Sequence, residues 1–197
     1  MLASLVLLLG LPLALADEAP SCAPLVPVTF DNSTIPQILG LWIYISGASK
    51  YPPHLEELKT LKYAAFIISH SNHEDELNVT EIMRVNETCV VKNNSKIQVI
   101  LHNSTLVHVD DQVSSMAKVI QSDKDVLILN ILHDKYSGLS ISARTPNVSK
   151  EQMEEIRAQM HCLGFTEEEM FFTSEKEACP LPGEKTEEGD TEKQQLE

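Results

Sequence analysis

From residue 63 to residue 143 the chain alternates short apolar runs with polar turns. Residues 63–68 form the first run and are followed by the polar loop 69–75. Residues 77–85, 97–101, 106–109 and 116–120 repeat the pattern, and Asn103-Ser104 is one of the turns between them. A turn at 122–125 leads into 126–132, and in 138–143 Leu139 and Ile141 alternate strictly with Ser140 and Ser142. An earlier run begins after Gly40, where Leu41, Ile43 and Ile45 alternate with Trp42, Tyr44 and Ser46. A short turn over 35–39, with Pro36 at its start, leads into that glycine. Alternation of period two is the mark of strands. These eight evenly spaced candidates predict an all-β fold, an up-and-down antiparallel barrel or a sandwich.

One stretch reads differently. Ser149 is placed to cap a helix over 150–161, with Gln152 closing a capping box three residues on. Met153, Ile156 and Met160 form an apolar stripe at helical spacing, suited to packing on the barrel, and Gly164 ends the helix. Residues 170–173 predict a ninth, edge strand. If the helix covers the apolar outer face of strand 138–143, Ser140 and Ser142 line the interior.

The ends set the compartment. Residues 5–15 are apolar and are followed by Ala14-Leu15-Ala16, which predicts a signal peptide over 1–16. The run is shorter than the ~20 residues needed to span a bilayer, so no membrane insertion is expected. Residues 17–179 are expected to form one domain. Residues 180–197 are acidic, without apolar periodicity, and are expected to be a disordered tail. The net charge of −14, with no basic patch, argues against nucleic-acid partners.

Four cysteines, Cys22, Cys89, Cys162 and Cys179, predict two disulfides in three possible connectivities, each contributing about 2–4 kcal/mol. Asn-x-Ser/Thr acceptors stand at Asn32, Asn78, Asn86, Asn93, Asn103 and Asn147, a dense set of expected surface glycans. No hydrolase or metalloprotease motif is present, and paired cysteines leave no thiol nucleophile, so an enzyme is not expected. His70 and His73 lie beside Glu74 and Asp75 in a polar loop that reads as solvated. No metal or cofactor is expected.

Gly40-Leu41-Trp42 at the head of the first strand, eight strands, a helix after the eighth, and Arg144 in Ser142-Ala143-Arg144-Thr145-Pro146 together resemble the lipocalin family. In that family such an arginine packs across the tryptophan. The middle family motif is not recognisable near Asp123 or Asp134, which marks an outlying member. More narrowly, the chain is similar to the alpha-1-acid glycoprotein (orosomucoid) group. The likeness runs through residues 22–27, Gly40 to Ile45, Gly138-Leu139-Ser140, Ser149 to Gln152 and Glu177-Ala178-Cys179. Apolipoprotein M is a more distant likeness. The group includes fish tributyltin-binding and saxitoxin/tetrodotoxin-binding proteins, and that branch stays open.

The resemblance implies an eight-stranded antiparallel calyx with its C-terminal helix packed outside, and disulfides Cys22–Cys162 and Cys89–Cys179. It places pocket positions at Tyr44, Phe66, Ile68, Glu81, His108, Ile128, Asn130, Ser140 and Ser142. Compared with the group, His108 replaces a basic residue, and Asn130 and Ser142 replace aromatics, so a more polar cavity is expected. Alternation independently groups Tyr44 with Trp42, Phe66 with Ile68, and Ile128 with Asn130. Glu81 and His108 fit an inward or an outward position equally, and Phe66 and Ile68 also fit a plain core. The function expected is a secreted, plasma-type transport glycoprotein, probed most directly by its small-molecule partner: hydrophobic, amphipathic or cationic, held non-covalently by a monomer. The alternatives are an acute-phase immunomodulator acting through surface and glycans, or a toxin- or xenobiotic-sequestering binder.

Overall fold

A computed structural model describes residues 22, 25–31, 33–109, 114–120, 124–133 and 136–183. The expected signal peptide, Asn32 and the tail from 184 onward lie outside the described residues. The elements are α1 (Ile35–Ile38), β1 (Gly40–Ser49), α2 (Pro52–Thr60), β2 (Leu61–His70), β3 (Glu76–Val85), β4 (Thr88–Ile100), β5 (Thr105–Val109), β6 (Ser114–Ile120), β7 (Val126–His133), β8 (Tyr136–Ala143), α3 (Lys150–Cys162) and β9 (Met170–Phe172). Strands β1 to β8 pair antiparallel with their sequence neighbours. Gly40 opposite Ile68 and Trp42 opposite Phe66 join β1 to β2, while Tyr44 opposite Ser142 joins β1 to β8. That pairing closes an eight-stranded barrel with no free edge among its eight members. The short β9 adds to β1, Gly47 facing Phe171.

The end of the barrel where β1 starts is sealed by one assembly. The Trp42 indole is 2% exposed and donates from Nε1 to the Ile38 carbonyl at 2.9 Å. The Arg144 guanidinium lies over the indole, 3.5 Å from its centroid. It also donates to the carbonyls of Leu41 at 2.9 Å and Gln37 at 2.8 Å. Gly40 is required there twice over. Its φ is +92°, a left-handed conformation that side chains resist, and an added Cβ would stand 3.1 Å from the Arg144 Nη1. The N-terminal arm crosses this end, with Val28 N–H donating to the Val119 carbonyl at 2.8 Å.

The outer face is covered by α3. Ser149 caps the helix as the sequence predicts, accepting from Gln152 N–H at 3.2 Å while the Gln152 side chain accepts from Ser149 N–H at 2.9 Å. Gly164, at φ +79°, ends it, with Phe165 N–H closing back on the Met160 carbonyl. Ile156 and Met160 pack on Leu139 and Ile141 of β8, and Met153 packs with Ile43 and Ile45 of β1. The disulfide Cys22–Cys162 fixes the N-terminal arm to the end of α3, and Cys89–Cys179 fixes β4 to the C-terminal segment. Arg84 secures the same segment through the carbonyls of Glu177 and Ala178.

The first half of β4 and the whole of α2 have no counterpart in the sequence reading. Strand β4 starts at Thr88 rather than near Ile97, because its first half carries Lys92, Asn93 and Lys96 and shows no apolar alternation. Helix α2 follows β1 at the end opposite Trp42. It buries only Leu55, so its sequence has no apolar stripe to betray it.

Removing the indole takes away the sealed floor and leaves a void in close-packed surroundings. Trp42→Ala is expected to cost about 3–5 kcal/mol of unfolding free energy, measured by chemical denaturation. An unchanged midpoint would contradict this account of the floor.

Candidate ligand-binding site

Inside the barrel lies a cavity of about 270 Å³ whose floor is Trp42. Its wall is built by the alternate, inward residues of each strand. Phe66 and Ile68 come from β2, Val79 and Glu81 from β3, and Ile97 from β4. Leu106 and His108 come from β5, Ser115 and Ala117 from β6, Leu127, Leu129 and Ile131 from β7, and Ser140 and Ser142 from β8. Most of this wall is apolar, in contrast to the more polar cavity expected from the substitutions at His108, Asn130 and Ser142. The same side chains form the apolar cluster around Trp42, Ile68, Val79, Leu106 and Leu127. Core and cavity wall are therefore one set of residues here, so the two readings of Phe66 and Ile68 coincide.

The nine positions expected to line the pocket divide three ways. Phe66, Ile68, Glu81, His108, Ser140 and Ser142 border the cavity. Tyr44 points inward but is not part of its wall. It is 5% exposed, stacks on Phe171 with centroids 6.4 Å apart, and lies over Gly47, where a Cβ would collide with its hydroxyl. Burial pushes its phenol well above the usual value. Ile128 and Asn130 are corrected: both face outward. Ile128 pairs with Ile141, and Asn130 with Leu139, on the face that α3 covers. Directly opposed residues share a face, so Leu127 and Leu129, opposite Ser142 and Ser140, are the inward pair. Apart from Asn130, the paired run of β7 is apolar on both faces, so its own sequence does not settle its parity. The serines of β8 carry the signal that can.

The polar groups of the wall gather around Glu81. His108 Nε2 lies 3.3 Å from Glu81 Oε1, and the carboxylate side chain is 13% exposed. Ser115 is the cross-strand partner of His108. Ser95 lies beside the same carboxylate. Its hydroxyl is buried next to that carboxylate. Burial acts to raise the Glu81 carboxyl. Hydrogen bonding by His108 and Ser95, with the charges of His108 and Lys92, outweighs it and holds the group below the ordinary value of 4.5. The cavity thus presents an anion in a mostly apolar chamber. Among the described residues no group of three or more His, Cys, Asp or Glu is placed to hold a metal ion.

A closed eight-stranded barrel with a tryptophan floor, an outer helix and an apolar interior is the lipocalin architecture, a calyx for small molecules. The family model described as the ApoM domain matches residues 1–182, and the chain belongs to that family, one of binding and transport proteins rather than enzymes. It is similar to alpha-1-acid glycoprotein of Bos taurus, 29% identical over 195 residues covering 97% of this chain and 96% of the relative. The same protein of Oryctolagus cuniculus is 28% identical over 188 residues, covering 93% and 92%. Among solved structures, siderocalin Q83, described as revealing a dual ligand binding mode, superposes with a TM-score of 0.59. It is 20% identical and covers 76% of this chain and 96% of its own. Lipocalin 12 from rat epididymis superposes with a TM-score of 0.58 at 14% identity, covering 76% and 89%.

Because Glu81 titrates lower when folded than unfolded, its ionisation contributes stability above the unfolded value, which is lost as pH falls through the folded one. The stability difference between the native protein and Glu81→Gln should therefore shrink as pH falls below 4.5, followed by denaturation at a series of pH values. A difference that keeps growing in that range would contradict the assignment.

Proposed function

We propose that this chain is a secreted, monomeric carrier whose domain, residues 17–179, holds small amphipathic molecules non-covalently in the calyx. The observation that carries this reading is the wall itself: apolar over most of its surface, with one carboxylate kept ionised at Glu81. Burial of ligand hydrocarbon supplies the drive, at ~25 cal/mol per Å² before ordering costs. The anionic pole selects a protonated amine, and Ser140 and Ser142 offer hydroxyls across the chamber. The volume suits a small ligand, or the apolar end of a larger one.

Displacement of a fluorescent probe tests this with matched ligands, an alkyl amine and the alcohol of the same chain. Glu81→Gln should weaken the amine about tenfold, the scale of one charge-assisted contact, and leave the alcohol unchanged. Equal loss for both, or none for the amine, would refute the role of Glu81.

The apolar leader, the two disulfides and the glycosylation acceptors support export to an oxidising fluid. Asn86, Asn93, Asn103 and Asn147 are exposed and are proposed to carry glycans. Asn78 is half-buried and donates its amide to the His70 carbonyl at 3.0 Å, so its occupancy should be the lowest of the five described acceptors. Peptide mapping after enzymatic deglycosylation, which converts occupied Asn to Asp, checks this order. Full occupancy at Asn78 beside an empty Asn103 would reverse it.

A further inference from the structure

Trp42 borders two cavities. Beyond the calyx floor a second chamber of about 490 Å³ lies between the N-terminal arm, α1 and the ends of β6 and β7. Trp42 and Leu127 border both chambers, so the partition is one layer of side chains thick. The deep wall of the second chamber is apolar and buried, formed by Phe30, Ile38 and Val119. Its rim is polar, with Thr29, Gln37 and Lys124.

The two chambers carry opposite charge. The calyx holds the Glu81 carboxylate, whereas among the described residues Lys124 is the charged side chain that borders the lower chamber. Among the described residues, the other charges near this chamber are engaged locally. The Asp31 carboxylate accepts from the backbone N–H groups of Ser33 and Thr34. The Arg144 guanidinium is committed to the Trp42 ring and to the carbonyls of Leu41 and Gln37. Asp125 faces Arg144 electrostatically. A cation at the mouth of an apolar chamber, in a chain of net charge −14, selects against the ligands that suit the calyx.

We propose that the chamber beneath Trp42 is a second small-molecule site, taking an amphiphile with an anionic head. The hydrocarbon lies against Phe30, Ile38 and Val119, and the carboxylate meets the Lys124 ammonium. Such a site lets one barrel carry a cationic and an anionic amphiphile at once, with the Trp42 indole touching both.

Methyl-resolved NMR of the folded protein titrated with decanoate tests the assignment. Val28 and Val119 report on the lower chamber alone, and Ile97 and Ile131 on the calyx alone. Decanoate should shift Val28 and Val119, with or without a calyx response. Lys124→Glu, at an exposed position that leaves the barrel intact, should weaken the Val28 and Val119 response about tenfold, and Lys124→Arg should preserve it. Decyltrimethylammonium should not shift that pair. The proposal is overturned if decanoate moves only Ile97 and Ile131, if it moves neither pair, if Lys124→Glu binds as well as the native protein, or if the cationic amphiphile shifts Val28 and Val119 equally.

Discussion

The contact on which this fold depends is a guanidinium lying flat on an indole. Arg144 directly follows β8, Trp42 lies near the start of β1, and their stacking joins the first and last strands of the barrel at one point. Two hydrogen bonds from the same guanidinium reach Gln37 in α1 and Leu41 in β1, while the indole N–H holds Ile38. A planar, forked cation satisfies all of these at once, which a lysine cannot. The geometry also explains the glycine two residues before the tryptophan: Gly40 must adopt a positive φ and leave room for an arginine nitrogen. Because the floor is fixed in this way, the space on either side of it can remain open without the barrel collapsing.

The division of labour between the two barrel faces follows from what covers each. Helix α3 and the disulfide-tied segments take the outward residues of β7, β8 and β1 into their own apolar clusters. The inward residues have no partner element and face one another across the cavity. That leaves the inside as the place where polar groups have chemical consequence. A carboxylate there is costly unless hydrogen-bonded, and Glu81 meets that requirement through His108 and the adjoining Ser95. The resulting chamber is apolar with a single charged pole, whereas a uniformly polar lining would give little drive for binding.

Much of this was legible in the sequence, and the exceptions share a cause. Alternation was plain in the first half of β1 and in β8, where the two faces meet different surroundings, so Trp42 and the serine face of β8 were placed correctly. The helix start was readable because Ser149 and Gln152 form a local capping box that needs no tertiary context. Parity is not readable in β7, where Val126 to Leu132 is, apart from Asn130, apolar on both sides because one face meets α3 and the other the cavity. Ile128 and Asn130 face outward there, and the serines opposite Leu127 and Leu129 carry the register that shows it. The polar first half of β4 and the weakly buried α2 escaped notice because tertiary pairing, not local pattern, makes them regular. Alternation places Tyr44 on the face of Trp42, but the fit of its ring over Gly47 and against Phe171 depends on β9, which lies far along the chain.

The space above Trp42, closed by Arg144 and polarised by Glu81, is the proposed ligand chamber. A crystal structure of the protein grown with a saturating alkyl amine tests it most directly. Ligand density is expected between Phe66, Leu129 and Ile131, with the ammonium within hydrogen-bonding distance of the Glu81 carboxylate. Density found only on the outer face, in the groove where Ile128 and Ile141 meet α3, with the interior filled by water, would contradict it.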